Sequence, residues 1–287
     1  MKNWEHALAA ALKGRWGRYR AMLKRCQRGF SEGSIHASRI EARRLSAQLD
    51  LLHVFASRRA IEKAQRTIKR HLNIFDPLRD AQVQLAMLEQ ECKGTPGAGR
   101  IRKLTAKRER RCRREAKERI RDVKTRRVRS VVQLIAKRLQ EGARDSERMR
   151  LDRTKIIHGV DMAFARVVQC RQRMDAADTA TIHRTRVAFK RFRYMMESMR
   201  LICPEIRRRQ LDTMHAFQGV LGDLQDTDVF LARLDKLIQK RRIKIAEVAP
   251  LRRWLLRRHV RQVNRCLRRA DVVFKFWPLK SAGQTTE

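Results

Sequence analysis

Ile35-His36-Ala37-Ser38-Arg39-Ile40-Glu41-Ala42-Arg43-Arg44 returns 147 residues later as Ile182-His183-Arg184-Thr185-Arg186-Val187-Ala188-Phe189-Lys190-Arg191. At about 100° per residue, positions i, i+3 and i+7 share one helix face, so His36, Arg39 and Arg43 form a line spanning roughly 10 Å. His183, Arg186 and Lys190 form a second line, which Arg193 extends. Arg44 and Arg191 lie about 80° round from the histidines and widen each cationic face. The opposite face is apolar in both copies: Ala42, Leu45, Leu49 and Leu52 correspond to Phe189, Phe192, Met196 and Met199. Two amphipathic helices, each with one basic and one apolar face, are therefore expected.

A second element repeats at an offset of 146, where Leu78-Arg79-Asp80-x-x-Val83-x-Leu85 aligns with Leu224-Gln225-Asp226-x-x-Val229-x-Leu231. Each half thus carries a signature helix, an intervening helix and an Asp near the start of the next. Asp80 and Asp226 have two readings: they pair with arginines and fix their rotamers, or they begin helices, where the dipole favours a carboxylate.

Ala, Leu, Arg, Lys, Glu and Gln dominate the chain, against 12 Gly and 5 Pro, so nearly every segment reads as helix and the fold class as all-α. Helices are predicted near 4–29, 34–56, 58–74, 79–92, 100–141, 153–175, 180–202, 205–221, 227–241 and 250–270. Ser34 and Thr181 are the expected N-caps of the signature helices, and Pro204 follows the second. Gly94-Thr95-Pro96-Gly97-Ala98-Gly99 is the clearest loop. It divides a first half, 1–99, from a very basic stretch, 100–150, expected to link it as one long, partly solvated helix to a second half, 151–287.

Of 287 residues, 43% are hydrophobic, enough for a core, yet 70 Lys and Arg against 30 Asp and Glu leave a formal charge of +40. Self-repulsion on that scale implies a polyanionic partner. The cysteines lack any C-x-x-C pair, which argues against a zinc knuckle and fits a reducing, cytoplasmic setting. The short run Ala7 to Leu12 is flanked too closely by Glu5, His6, Lys13 and Arg15 to read as a signal peptide, and no stretch is long enough for a membrane span.

The matching stretches Ile35 to Arg39 with Arg43-Arg44, Asp76 to Val83, Ile182 to Arg186 with Phe189 to Tyr194, and Leu221 to Asp226 resemble the CHAD family, the conserved histidine α-helical domain. The resemblance spans most of the chain as a single domain. It implies two four-helix bundles related by a pseudo-two-fold axis, with a basic surface or channel between them, and binding of inorganic polyphosphate at polyphosphate granules. On that resemblance His36, Arg39, Arg43, Arg44, His183, Arg186, Lys190 and Arg191 line the site, with Arg79 beside it. Asp76 stands where a Gly is common in the family, and Gln225 replaces an Arg.

A polyphosphate chain offers closely spaced charges and neither base nor sugar, so its recognition needs a track of cationic donors. Arg supplies a planar fork and Lys a mobile point charge. His near a helix start can donate to phosphate, where the dipole also favours an anion. Lys24 and Arg171, which also align at 147, are accessory candidates, and the Arg108–Arg114 cluster reads as an electrostatic collar. Trp254, Trp277, Phe274 and Phe276 read as packing residues.

The main rival is a nucleic-acid backbone binder. Aromatic residues make up only 6% of the chain, which leaves few stacking platforms, and there is no zinc-finger or RNP-like sequence. Phosphate contacts alone still predict RNA binding at low salt. An enzyme would need carboxylates for Mg²⁺ or an activated nucleophile, and the signature helices offer cations instead. Arginines beside the histidines would repel a metal, so no cofactor is expected.

Overall fold

The structure, a computed structural model, describes residues 4–143 and 145–277, with Ser146 described in its backbone only. These residues form α1 (Trp4–Gly29), α2 (Glu32–Leu51), α3 (Arg58–Gln90), α4 (Ala98–Arg121), α5 (Arg126–Gly142), α6 (Ser146–Gln172), α7 (Thr179–Met199), α8 (Arg208–Gln239) and α9 (Ile245–Arg269). Short 3₁₀ turns follow at His53–Phe55 and Ala270–Lys275. No strand occurs among the described residues, so the fold is all-α. Helices α1–α4 run 26, 20, 33 and 24 residues, and α6–α9 run 27, 21, 32 and 25.

Within the first half α1 packs on α2, and α3 on α4; in the second α6 packs on α7, and α8 on α9. The halves meet where α2 lies along α7 and α3 touches α8. The apolar faces predicted for the signature helices are buried: Leu45, Leu49, Phe189, Phe192, Met196 and Met199 have no exposed surface. Burying a Leu, Met or Phe side chain stabilises by about 1.5–3 kcal/mol, and on α7 these residues anchor the helix in the core, Phe192 against Phe164 of α6 and Phe189 against Phe217 of α8.

Several expected boundaries move. Helices predicted at 58–74 and 79–92 are one helix, α3, which runs through Pro77. Pro77 has no amide to offer the Asn73 carbonyl, but Asn73 is exposed, where water can serve it, and Phe75, Leu78 and Ala81 keep the apolar stripe in phase across the proline. The segments at 205–221 and 227–241 likewise fuse into α8, because Leu224, Thr227 and Phe230 continue the buried stripe of Leu221.

The single helix expected over 100–141 is instead two. Asp122, Val123 and Thr125 are weak helix formers at the break, and Gln27 Nε2 donates to the carbonyls of Ile120 and Arg121, at 3.1 and 3.4 Å, closing α4 from outside. Neither piece is a bare solvated link: α4 lies along α3, and α5 buries Val128, Val132, Ile135 and Leu139 against α1 and α3.

The caps lie one turn earlier than expected. Ser31 Oγ accepts from Ser34 N at 3.2 Å, and Asp178 Oδ1 from Ala180 N at 3.0 Å. Ser34 and Thr181 stand inside their helices, where Thr181 Oγ1 accepts from Asp175 N at 2.9 Å. Among the aromatic residues near the end, Phe276 is buried, Trp254 packs on the core and Trp277 Nε1 donates to Asp161 Oδ1 at 2.6 Å. Phe274 is the exception: the three-residue period of the last turn buries Val273 and Phe276 and leaves Phe274 48% exposed.

Candidate functional site

Two ion pairs hold α2 against α7. Arg44 Nε lies 2.9 Å from Glu197 Oε2, and Arg191 Nε donates to Asp50 Oδ2 at 2.7 Å. Arg191 lies 147 residues beyond Arg44, and Glu197 the same distance beyond Asp50, so the two contacts are reciprocal. Each signature helix gives the other an arginine and takes one back. Arg44 also reaches Glu41 at 3.3 Å, a carboxylate shared with Arg15 and Arg18.

Arg193 is drawn further inside. It is 5% exposed, with Nη1 2.6 Å from Glu197 Oε1, Nε donating to Gln218 Oε1 at 2.8 Å, and its guanidinium 4.3 Å from the Tyr194 ring centre. The cationic line drawn through Arg193 therefore ends at Lys190, and Arg193 braces α7 against α8.

What faces inward between the helices is a cluster of Arg39, Arg43, Arg186 and Lys190. Arg39 is buried and donates from Nη1 to Asp76 Oδ1 at 2.8 Å. Arg43, Arg186 and Lys190 form no ion pair within 4 Å among the described residues, and Arg186 Nε is buried without a hydrogen-bond acceptor. Burial brings the Lys190 ammonium down to about 7, and the neighbouring Arg43, Arg186, Arg39 and Arg193 push the same way. Arg43 falls to about 10, through burial first and then Arg39. Burial lowers Arg186 too, while Asp226 partly restores it.

The cluster opens at two cavities. One, of about 570 Å³, is lined by Arg43, Arg186, Lys190 and Arg191 together with Arg66 and Lys69 of α3, and by the carboxylates Asp50, paired with Arg191, and Glu62, 3.6 Å from Arg66. The other, of about 690 Å³, is lined by His36, Arg39, Arg79 and Arg113, with Glu32 and Glu109 at its rim. His36 is exposed there, and burial, with Arg79, Arg39 and Arg43, lowers its pKa. His183 is exposed on the other copy, its Nδ1 paired with Gln225 Oε1.

Asp80 and Asp226 lie mid-helix in α3 and α8, so the helix-start reading falls. Neither has an ion pair within 4 Å among the described residues. Burial raises both carboxyls, Arg108 and Arg39 oppose this at Asp80, and Arg186, Arg79 and Lys190 oppose it at Asp226. The carboxylate that pairs with a signature arginine is Asp76, one turn before Asp80.

The accessory candidates lie apart. Lys24 is exposed on α1, and Arg171 is held 2.8 Å from Asp271. Arg66 and Lys69 were missed by sequence reasoning because they carry no motif and have no basic twin: Thr213 and Ala216 stand 147 residues beyond them. Among the described residues no group of three His, Cys, Asp or Glu side chains could hold a metal ion, and no helix is long and apolar enough to cross a membrane.

The CHAD domain family matches residues 10–235 of the chain. A crystal structure of the CHAD domain from the plant Ricinus communis superposes with a TM-score of 0.62 at 20% sequence identity, covering 95% of this chain and 90% of that one. No curated protein matches.

Proposed function

Because the chain belongs to the CHAD domain family, a family associated with polyphosphate binding, we propose that it binds inorganic polyphosphate without catalysis, at the cationic cluster between α2 and α7. The observation that carries the reading is the concentration of Arg39, Arg43, Arg186 and Lys190 with so little counter-charge. Asp76 answers Arg39 directly, while Lys190 is pushed down to about 7 and Arg186 Nε has no acceptor. An anion with oxygens spaced along a chain supplies what these groups lack, and charge-assisted bonds to it are about twice as strong as neutral ones. The two cavities give a long chain ways in and out, with His36, Arg79, Arg66 and Lys69 along them.

The reciprocal Arg44–Glu197 and Arg191–Asp50 pairs and the matched helix lengths support a pseudo-two-fold relation between the halves, the arrangement an isologous contact requires. In this reading Arg44, Arg191 and Arg193 build the walls, and His36 and His183 flank the track. The site acts through binding alone, and the protein's place is on cytoplasmic polyphosphate granules.

The test neutralises Arg39, Arg43, Arg186 and Lys190 to Gln, alone and with His36 and His183. Each charged hydrogen bond contributes about 1.5–3 kcal/mol, so their joint loss should weaken binding of long-chain polyphosphate by about a hundredfold or more while circular dichroism shows unchanged helicity. A folded variant that keeps its affinity overturns the site.

A further inference from the structure

A third cavity, of about 750 Å³, lies on a different face of α3, where that helix meets the break between α4 and α5. Arg70 on α3, Arg119 on α4, and Lys124, Arg126 and Arg127 at the start of α5 line it, and Asp122 is the lone carboxylate in its wall. None of these five cations is in an ion pair among the described residues. Arg111 and Arg113, further up α4, do have carboxylate partners: Arg111 lies 3.5 Å from Glu115, and Arg113 lies 2.7 Å from Glu109. Thr125, which precedes α5, makes no side-chain hydrogen bond to the first amides of that helix. Thr67 and Asn73 add neutral polar groups to the wall. His71, packed on Tyr19 and brought down to about 4 by burial and Arg70, adds no charge.

An unpaired cationic bowl around a helix start repels itself until an anion fills it. We propose that this cavity is a second anion site, separate from the signature cluster, that takes short inorganic phosphate chains, either free or as a segment of a longer chain. Three elements converge on one concave space, so its donors surround a compact, multiply charged ligand rather than a flat surface. The segment from 119 to 127 belongs to neither copy of the repeated signature, so the site is single.

The experiment titrates tripolyphosphate into the full chain at about 0.15 M salt, where exposed charges more than ~8 Å apart are screened. The starting protein carries Arg39→Gln, Arg43→Gln, Arg186→Gln and Lys190→Gln, which removes the signature cluster. Residual binding is expected. Adding Arg70→Gln, Lys124→Gln and Arg127→Gln should weaken it by about tenfold or more. A control, Arg253→Gln, Arg257→Gln and Arg261→Gln, removes equal charge from an exposed stripe of α9 and should leave affinity within about threefold.

No residual binding, or equal loss from the two triple sets, overturns the second site. If the starting variant does not fold, the cavity triple is made in the parent protein, where the number of tripolyphosphates bound should fall by one; an unchanged number overturns it. With long chains, a drop in phosphates covered per protein on cavity substitution identifies a segment of the same chain as the occupant. An unchanged cover identifies a separate short chain.

Discussion

Lys190 is the residue whose chemistry reports most directly on the site. With its ammonium at about 7 against an ordinary 10.5, the anion-free fold holds fewer protons there than the unfolded chain between those values, so this group makes stability rise with pH across that window. A bound polyanion favours the charged form and draws a proton in. Affinity should therefore tighten as pH falls from about 9 to 7, with proton uptake visible by calorimetry in buffers of different ionisation enthalpy. Lys190→Arg should flatten that dependence, and a slope unchanged by it would assign the proton elsewhere. The lowered pKa of His36 places its titration below this window. Asp76→Asn removes the carboxylate facing Arg39 and should tighten binding several-fold at low salt, an effect that shrinks as salt rises; weaker binding would show that Asp76 instead holds Arg39 in its binding rotamer. Periodicity is enough to place Arg39 with Arg43, and Arg186 with Lys190, on one face of each helix, because a cationic line at i, i+3 and i+7 is local information. The fates of Arg44, Arg191 and Arg193 depend on Glu197, Asp50 and Gln218 across helix contacts, which no spacing within one helix can reveal.

At the scale of elements, the reciprocal pairs predict a shared dependence. Asp50→Asn and Glu197→Gln should each lower the thermal midpoint, by up to about 1 kcal/mol for Asp50, whose partner Arg191 is largely exposed, and by about 1–3 kcal/mol for Glu197, which also faces the buried Arg193. The midpoint is read by circular dichroism, and no change in either variant would reduce these pairs to surface decoration. Gly97 is a second anchor. Its φ is +85°, and a Cβ there would stand 2.2 Å from the Glu247 carbonyl oxygen, where the start of α4 meets that of α9. Gly97→Ala should thus cost at least the roughly 1–2 kcal/mol of a left-handed L-residue, lowering the midpoint without changing polyphosphate affinity. The helical content was legible from composition and stripes, and α1 keeps its predicted bounds. Breaks were less so. A break is expected over 75–78 although the apolar stripe continues through Pro77, and the turn at 122–125 has no Gly or Pro to mark it. Its cause is Gln27, which reaches the end of α4 from 93 residues away.

For the whole molecule, a charge of +40 sets the energetics. Without a ligand the thermal midpoint should rise as salt is raised from about 0.05 to 0.3 M, since screening relieves self-repulsion. Polyphosphate at about 100 times its Kd should add ~2.7 kcal/mol by mass action. The same charge would attract any polyanion, and what separates a dedicated site from a sticky surface is the gathering of four cations between α2 and α7. The most direct test is competition at about 0.15 M salt, with labelled long-chain polyphosphate bound to the protein and challenged by RNA and by duplex DNA matched in phosphate. The α2–α7 site predicts that excess nucleic acid leaves the polyphosphate bound; ready displacement by either would contradict it and make the protein a general polyanion binder.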